Sequence, residues 1–188
     1  MRRAFLSTAV GLYFSLGAAQ AASTINASNA NAYGANIGFV NWKPSAADGV
    51  SIGEFICSGY MYGANVGWIN MGSGNPANHV QYSNSSATDF GVNYTIDPAS
   101  PGQANLRGFA YGANIGWINF ENTGNPRVLF SNGRLRGFAW SANCGWINLD
   151  DLNVFVQTDT IAAGVDSDAD GMADAFEFLY LGGLGGDP

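Results

Sequence analysis

Charge is scarce in this 188-residue chain: only 11% of residues are Asp, Glu, Lys or Arg, and seven basic side chains face 14 acidic ones. Five of each fall between Ser23 and Leu149, so the body of the chain is neutral and offers no basic field for phosphates, which argues against nucleic-acid binding. There is one histidine, His79, in the Asn/Gly-rich loop GSGNPANH, and it reads as a surface residue. A Ser-His-Asp or Cys-His mechanism would have to use it, and with two cysteines no His/Cys zinc cluster can form. Six prolines and 26 glycines without a Gly-x-y period exclude a collagen-like chain. Phosphate loops, dinucleotide fingerprints and metalloprotease helices are missing too.

What is present begins with an address. Arg2 and Arg3 precede an apolar run, Ala4 to Gly17, and Ala19-Gln20-Ala21 stands in the A-x-A position. These are the three parts of a secretory signal peptide, so residues 1–21 are expected to be removed and the protein to be secreted or held at the cell surface. The opening RRAFL resembles the core of a twin-arginine signal, but the short n-region favours the general secretory route. The mature chain then has five bases against 14 acids, a formal charge of −9. No later apolar run has spanning length, so no membrane span is expected after cleavage.

One motif returns four times: YGANIGFVN from Tyr33, YGANVGWIN from Tyr62, YGANIGWIN from Tyr111 and WSANCGWIN from Trp140. The spacings are 29, 49 and 29, and residues 83–102, with the strand-like run FGVNYTID, account for the longer interval as an insertion. Short aromatic and β-branched segments flank each A-N-x-G tetrapeptide, which is a hairpin signature, with the Asn side chain expected to bond the backbone two residues on. HVQYSN, RVLFSN and NVFVQT are expected to add a third strand after their hairpins, and Asn132-Gly133 to make a further tight turn. The predicted fold is therefore all-β: four tandem antiparallel three-stranded meander repeats, arranged as a sandwich, a barrel or a propeller-like ring, spanning residues 22–159.

Period-two alternation separates a small face (Leu106, Gly108, Ala110) from an aromatic one (Arg107, Phe109, Tyr111), and the pattern repeats from Leu135 to Trp140. The aromatic face is expected to be core, and Trp68, Trp117 and Trp146 to be buried beside Asn70, Asn119 and Asn148. In the alternative, part of the ladder is exposed, and Tyr62, Tyr111 and Trp140 stack on sugar rings. Cys57 and Cys144 replace apolar residues of the repeat, so they read as buried thiols. Secretion would also permit a Cys57 to Cys144 disulfide.

The segments GFAYGANIGWINF and GFAWSANCGWINL resemble the G-[YF]-A-W-x-x-N-x-G-W-I-N repeats of secreted bacterial proteins, over about Tyr33 to Leu149. That resemblance implies an extracellular setting and no particular activity.

Nine of the 14 acids lie in the last 39 residues, where no Lys or Arg occurs. There, Asp166, Asp168, Asp170, Asp174 and Glu177 stand at positions 1, 3, 5, 9 and 12 of a twelve-residue loop, with Gly171 at position 6 and Met172 able to give its carbonyl at position 7. This is an EF-hand-like calcium loop, expected to fold with its ion. No helix is expected before it, and DAFEFLYL reads as one short amphipathic helix after it. Residues 160–188 thus form a calcium-binding C-terminal motif. From Asp166 to Pro188 it resembles the thrombospondin type 3-like and dockerin-like segments of secreted bacterial proteins, which implies calcium at the same carboxylates. Such segments commonly carry Gly where Ala169 stands.

The leading expectation is a secreted, calcium-binding, non-enzymatic structural or adhesive protein. Its partner is a second copy of itself or a cell-surface or matrix polysaccharide. A carbohydrate-binding module is the alternative, and a glycoside or ester hydrolase using Glu121 or Asp97 is third.

Overall fold

The computed structural model describes residues 22–184, so the expected signal peptide lies outside the described residues. Thirteen strands follow in order: β1 (Ile25–Gly34), β2 (Gly38–Asn41), β3 (Val50–Ile52), β4 (Cys57–Gly63), β5 (Gly67–Gly72), β6 (Val92–Ile96), β7 (Gln103–Gly112), β8 (Gly116–Asn119), β9 (Arg127–Leu129), β10 (Leu135–Arg136), β11 (Phe138–Ser141), β12 (Gly145–Asn148) and β13 (Val156–Thr158). One helix, α1 (Asp174–Tyr180), ends the described chain. The fold is all-β with this one short helix.

Each A-N-x-G segment closes a hairpin: β1–β2, β4–β5, β7–β8 and β11–β12. In the first, Ile37 N–H donates to Gly34 O at 3.1 Å and Gly38 has φ of 77°, so a three-residue loop ends in a left-handed glycine. Gly67, Gly116 and Gly145 repeat that conformation. The hairpins then pair with one another, β2 with β4, β5 with β7, β8 with β11, and β12 back to β1. Eight strands therefore close a ring, and of the three expected arrangements the barrel is the one that forms.

The turn Asn does something other than the expected local bond. Asn65, Asn114 and Asn143 donate from Nδ2 to the carbonyls of Ile37, Val66 and Ile115 in the preceding turn, at 3.0–3.1 Å. Asn36 donates to Cys144 O at 3.1 Å and completes the circle. The amide reaches the neighbouring hairpin because closure of the ring sets the carbonyl of the preceding turn beside it.

The interior is built in layers of four, one residue from each hairpin, all buried. Ile37, Val66, Ile115 and Cys144 plug the turn end; Val40, Ile69, Ile118 and Ile147 lie next, followed by Ala32, Met61, Ala110 and Ala139. Trp42, Met71, Phe120 and Leu149 fill the opposite end, where Trp42 meets Phe120 edge-on at a 6.2 Å centroid separation. Eight strands leave room for side chains and nothing else, so the barrel is a packed core without a lumen.

That packing inverts the expected faces. The small face points inward and the aromatic face outward: Trp68, Trp117 and Trp146 are 50%, 45% and 46% exposed. Three indoles and the Phe39 ring in one layer would exceed the volume inside an eight-stranded ring, whereas Ile, Ala and Met fit it. The Asn on the same face bonds neighbouring backbone: Asn41, Asn70, Asn119 and Asn148 each accept, through Oδ1, the N–H of the residue two further on, at 2.5–3.0 Å.

Beyond the barrel, the N-terminal half of β7 pairs with β6 and β9, β9 with β10 through the Asn132-Gly133 turn, and the start of β1 with β13. The insertion supplies β6, and RVLFSN and NVFVQT supply β9 and β13. HVQYSN is not a strand. Asn78 Oδ1 accepts the N–H groups of Val80 and Gln81, His79 has φ of 62°, and this turn cannot extend into a ladder. The uniform three-stranded unit is thereby replaced by four hairpins with unequal additions.

Both cysteines are buried and free, so the disulfide does not form. Cys144 sits in the turn-end layer, whereas Cys57 starts β4, six residues from the turn-end Gly63, which is roughly 20 Å of strand and far beyond disulfide reach.

Candidate functional site

Because the interior is filled, binding chemistry has to lie on the outside. Tyr33, Phe39, Tyr62, Trp68, Tyr111, Trp117, Trp140 and Trp146 form an exposed belt around the barrel's turn end. Cross-strand register sets them in rows of three: Asn41, Tyr62, Trp68; Asn70, Tyr111, Trp117; Asn119, Trp140, Trp146; and Asn148, Tyr33, Phe39. Tyr62 meets Trp68 at 5.1 Å, and Tyr111 meets Trp117 at 4.9 Å, both tilted or edge-on. Among the described residues, no protein acceptor takes the Nδ2 groups of Asn41, Asn70, Asn119 or Asn148. Each row therefore sets an amide donor beside aromatic faces.

Tyr62, Tyr111 and Trp140 occupy the same place in three different rows, so the ring does not gather them into one site. Each works with its own neighbours. In the second row the insertion adds Phe90, 5.0 Å from Trp117, and a cleft of about 390 Å³ opens between Phe90, Phe109, Trp117 and the Ser85–Ser86 rim. Phe90 was missed by sequence reasoning, because it lies outside the repeated motif. Its proximity to Trp117 depends on Phe109 N–H bonding Gly91 O at 3.2 Å.

Glu121 and Asp97 are not brought together. Glu121 Oε1 accepts Gly108 N–H at 3.0 Å, while Asp97 accepts from Ala99 N and Ser100 Oγ just past β6. Ala104 pairs with Ile96, so the two carboxylates are separated by about four residues of β7, on the order of 13 Å, wider than the roughly 5–10 Å of paired glycosidase carboxylates. His79 is exposed in its loop, and its ring stacks on Phe178 of α1 with centroids 4.6 Å apart.

In the C-terminal loop, the Asp166, Asp168 and Asp170 carboxylates lie with ligand oxygens within 4.8 Å of one another, an acidic triad that could hold a metal ion. Asp166 shapes the loop: Oδ1 accepts Ala169 N–H at 2.7 Å and Oδ2 accepts Gly171 N–H at 3.0 Å. Asp170 Oδ1 accepts Met172 N–H at 2.8 Å. Asp174 and Glu177 stand apart from the triad. Asp174 is buried and accepts both the N–H and the hydroxyl of Ser167 at 2.7 Å, and Glu177 is fully buried at the helix. No helix precedes the loop. Helix α1 forms as expected, yet its faces are reversed: Asp174, Ala175 and Glu177 turn in, and Phe176, Leu179 and Tyr180 turn out.

Fold and surface together define an all-β protein: a filled, closed barrel of four hairpins wearing an outward aromatic belt, followed by an acidic loop. No family model, curated protein or solved structure matches this chain. Among the described residues, no helix is long and apolar enough to cross a membrane.

Proposed function

We propose that this chain is a secreted, non-enzymatic adhesive module that holds polysaccharide on the aromatic belt of its barrel, with a calcium ion stapling its C-terminal loop. The observation carrying the reading is the belt itself. Eight aromatic side chains that a folding chain would normally bury are held in solvent at equivalent positions, each row beside an Asn Nδ2 with no protein acceptor among the described residues. Sugar rings take that combination: an apolar face for stacking and hydroxyls for the amide. The cleft at Phe90, Phe109 and Trp117, with its serine rim, offers a platform of this kind.

Calcium is the ion that suits hard carboxylate oxygens in a loop with this spacing. Three exposed carboxylates held this close repel one another at neutral pH, and a dication offsets that repulsion. Trp fluorescence titrated with a panel of soluble glycans, in calcium and in chelator, tests the whole reading. Saturable quenching that falls in Trp117→Ala supports it, and unchanged fluorescence across the panel removes the polysaccharide. Asp166→Ala with Asp170→Ala should abolish calcium binding by the loop, and parental affinity in that variant would overturn the metal assignment.

A second reading, self-assembly, is favoured by the outward Phe176, Leu179 and Tyr180 of α1. Mass by light scattering in calcium and in chelator separates the two, because growth beyond a monomer only with calcium places the contact in the C-terminal motif.

A further inference from the structure

The four rows of the belt share a backbone but not a chemistry. The residue two places past the row Asn is Lys43, Gly72, Glu121 or Asp150. Lys43 Nζ is spent on Ile25 O at 2.7 Å, Gly72 has no side chain, and the Asp150 carboxylate is held by Arg134 and Arg136. Glu121 differs from all three. Its Oε1 is fixed by Gly108 N–H at 3.0 Å, and among the described residues no Lys or Arg lies within ion-pair distance of it. Its own row, headed by Asn119, is also the one with two indoles, Trp140 directly opposite Trp146.

These groups meet in a cleft of about 160 Å³ bounded by Asn119, Glu121, Thr123, Gly124, Trp140 and Trp146. A 3₁₀ turn, Asn122–Gly124, forms one wall. It can press against the indole because Gly124 has no side chain: a Cβ there would run into Phe138 O and come within 3.1 Å of Trp146 Cζ3. The cleft is therefore a built corner of two indoles and one carboxylate that makes no ion-pair contact, its charge felt by Arg107 from beyond contact distance. It is far smaller than the roughly 300–1,000 Å³ of sites for drug-sized ligands.

We propose that this corner binds a trimethylammonium head group of the choline type. A cation is drawn to indole faces and to the Glu121 charge together, and Trp is the strongest aromatic partner for it. A methylated ammonium suits the corner better than a lysine ammonium, because the latter is strongly hydrated and would lose that water on entry. The volume admits one compact tetrahedral head and excludes a run of sugar rings. The corner shares Trp140 and Trp146 with the aromatic belt, but its cation chemistry is read separately from glycan binding, so either reading can fail without the other.

The test titrates the full chain with choline and with tetramethylammonium, read by Trp fluorescence and calorimetry, against 3,3-dimethylbutanol, the uncharged carbon isostere of choline. Saturable binding of both cations is expected, with the isostere weaker by about tenfold or more. Trp146→Ala and Glu121→Gln should each weaken choline by about tenfold. Trp68→Ala, the equivalent position two hairpins away, should leave it unchanged, and Trp146→Phe should retain part of the affinity and show that the fold survives. Competition by phosphatidylcholine vesicles assigns the head group to a lipid, and its absence assigns it to a free small molecule. Equal binding of the isostere, full affinity in Glu121→Gln, or no cation binding up to roughly 100 mM would overturn the proposal.

Discussion

Asn36 Nδ2 donates to Cys144 O across 3.1 Å and 108 residues of sequence, and this bond joins the first hairpin to the last. Together with the pairing of Tyr33 with Asn148 and Gly34 with Ile147, it turns a row of hairpins into a barrel without edges at its turn end. Asn36→Ala removes the bond and leaves the Cys144 carbonyl to water, so it should lower stability by about 1 kcal/mol in urea unfolding. Asn114→Ala, on the far side of the ring, should cost a similar amount and add to the first nearly completely.

Ser141 and Cys144 form a matched exception. In the other turns a glycine faces Ile or Val: a Cβ at Gly34 would lie 2.7 Å from Ile37 Cγ1, and one at Gly63 would lie 2.6 Å from Val66 Cγ2. The fourth turn carries Ser in place of glycine and the smaller Cys in place of the branched chain. Cys144→Ile alone should therefore overpack the layer and destabilise by about 1–3 kcal/mol. Adding Ser141→Gly should recover most of that loss, which a double-mutant cycle measures directly.

Stability should fall in alkali. Burial pushes the Cys57 thiol from 9.0 up to about 12 and the Tyr82 phenol from 10.0 up to about 12. Tyr82 is locked beside the thiol by its own bonds, donating to Cys57 O and accepting Gly74 N–H. Below pH 9 both groups are protonated in the folded and the unfolded chain, and stability is complete. Above it the unfolded chain releases protons that the folded chain keeps, so each group removes about 1.4 kcal/mol per pH unit within its window, ending near pH 12. Unfolding midpoints between pH 8 and 11 should decline, and Cys57→Ala should delay the onset from about pH 9 to about pH 10.

Ala169 holds φ of 63° inside the acidic loop, a left-handed conformation that disfavours a Cβ by about 1 kcal/mol. Glycine at this position relieves the strain. Ala169→Gly should therefore raise metal affinity about fivefold where loop formation and binding are coupled, measured by calorimetric calcium titration. An unchanged affinity would mean that the loop is already formed before the ion arrives.

The hairpins were readable because their determinants are local. A-N-x-G supplies the loop and the left-handed glycine within five residues, and Asn132-Gly133 does the same for β9 and β10. Alternation likewise divided each strand into a small and an aromatic face, but it could not say which faced water. That choice belongs to the ring: an interior eight strands wide admits Ile69, Ala110 and Met61 and rejects Trp68 and Trp117. HVQYSN misled for the opposite reason, since its apolar alternation is overridden by an Asn78 turn. Phe90 and the grouping at Glu121 were not legible because neither lies in the repeated motif, and each reaches the belt through a contact the local sequence does not announce, Phe109 N–H with Gly91 O and Gly108 N–H with Glu121.

The acidic loop shows the same division on a smaller scale. Spacing along twelve residues is enough to gather Asp166, Asp168 and Asp170, because consecutive odd positions of one tight turn must converge. The orientations of Asp174 and Glu177 depend instead on how α1 lies against Ser167 and the loop, and that packing turns them inward. Short-range chemistry thus settles turns, strand faces and the acidic triad. Closure and the side that meets solvent come from contacts between residues more than 100 positions apart, such as Asn36 with Cys144, because burial is a property of the assembled ring and not of any strand in it.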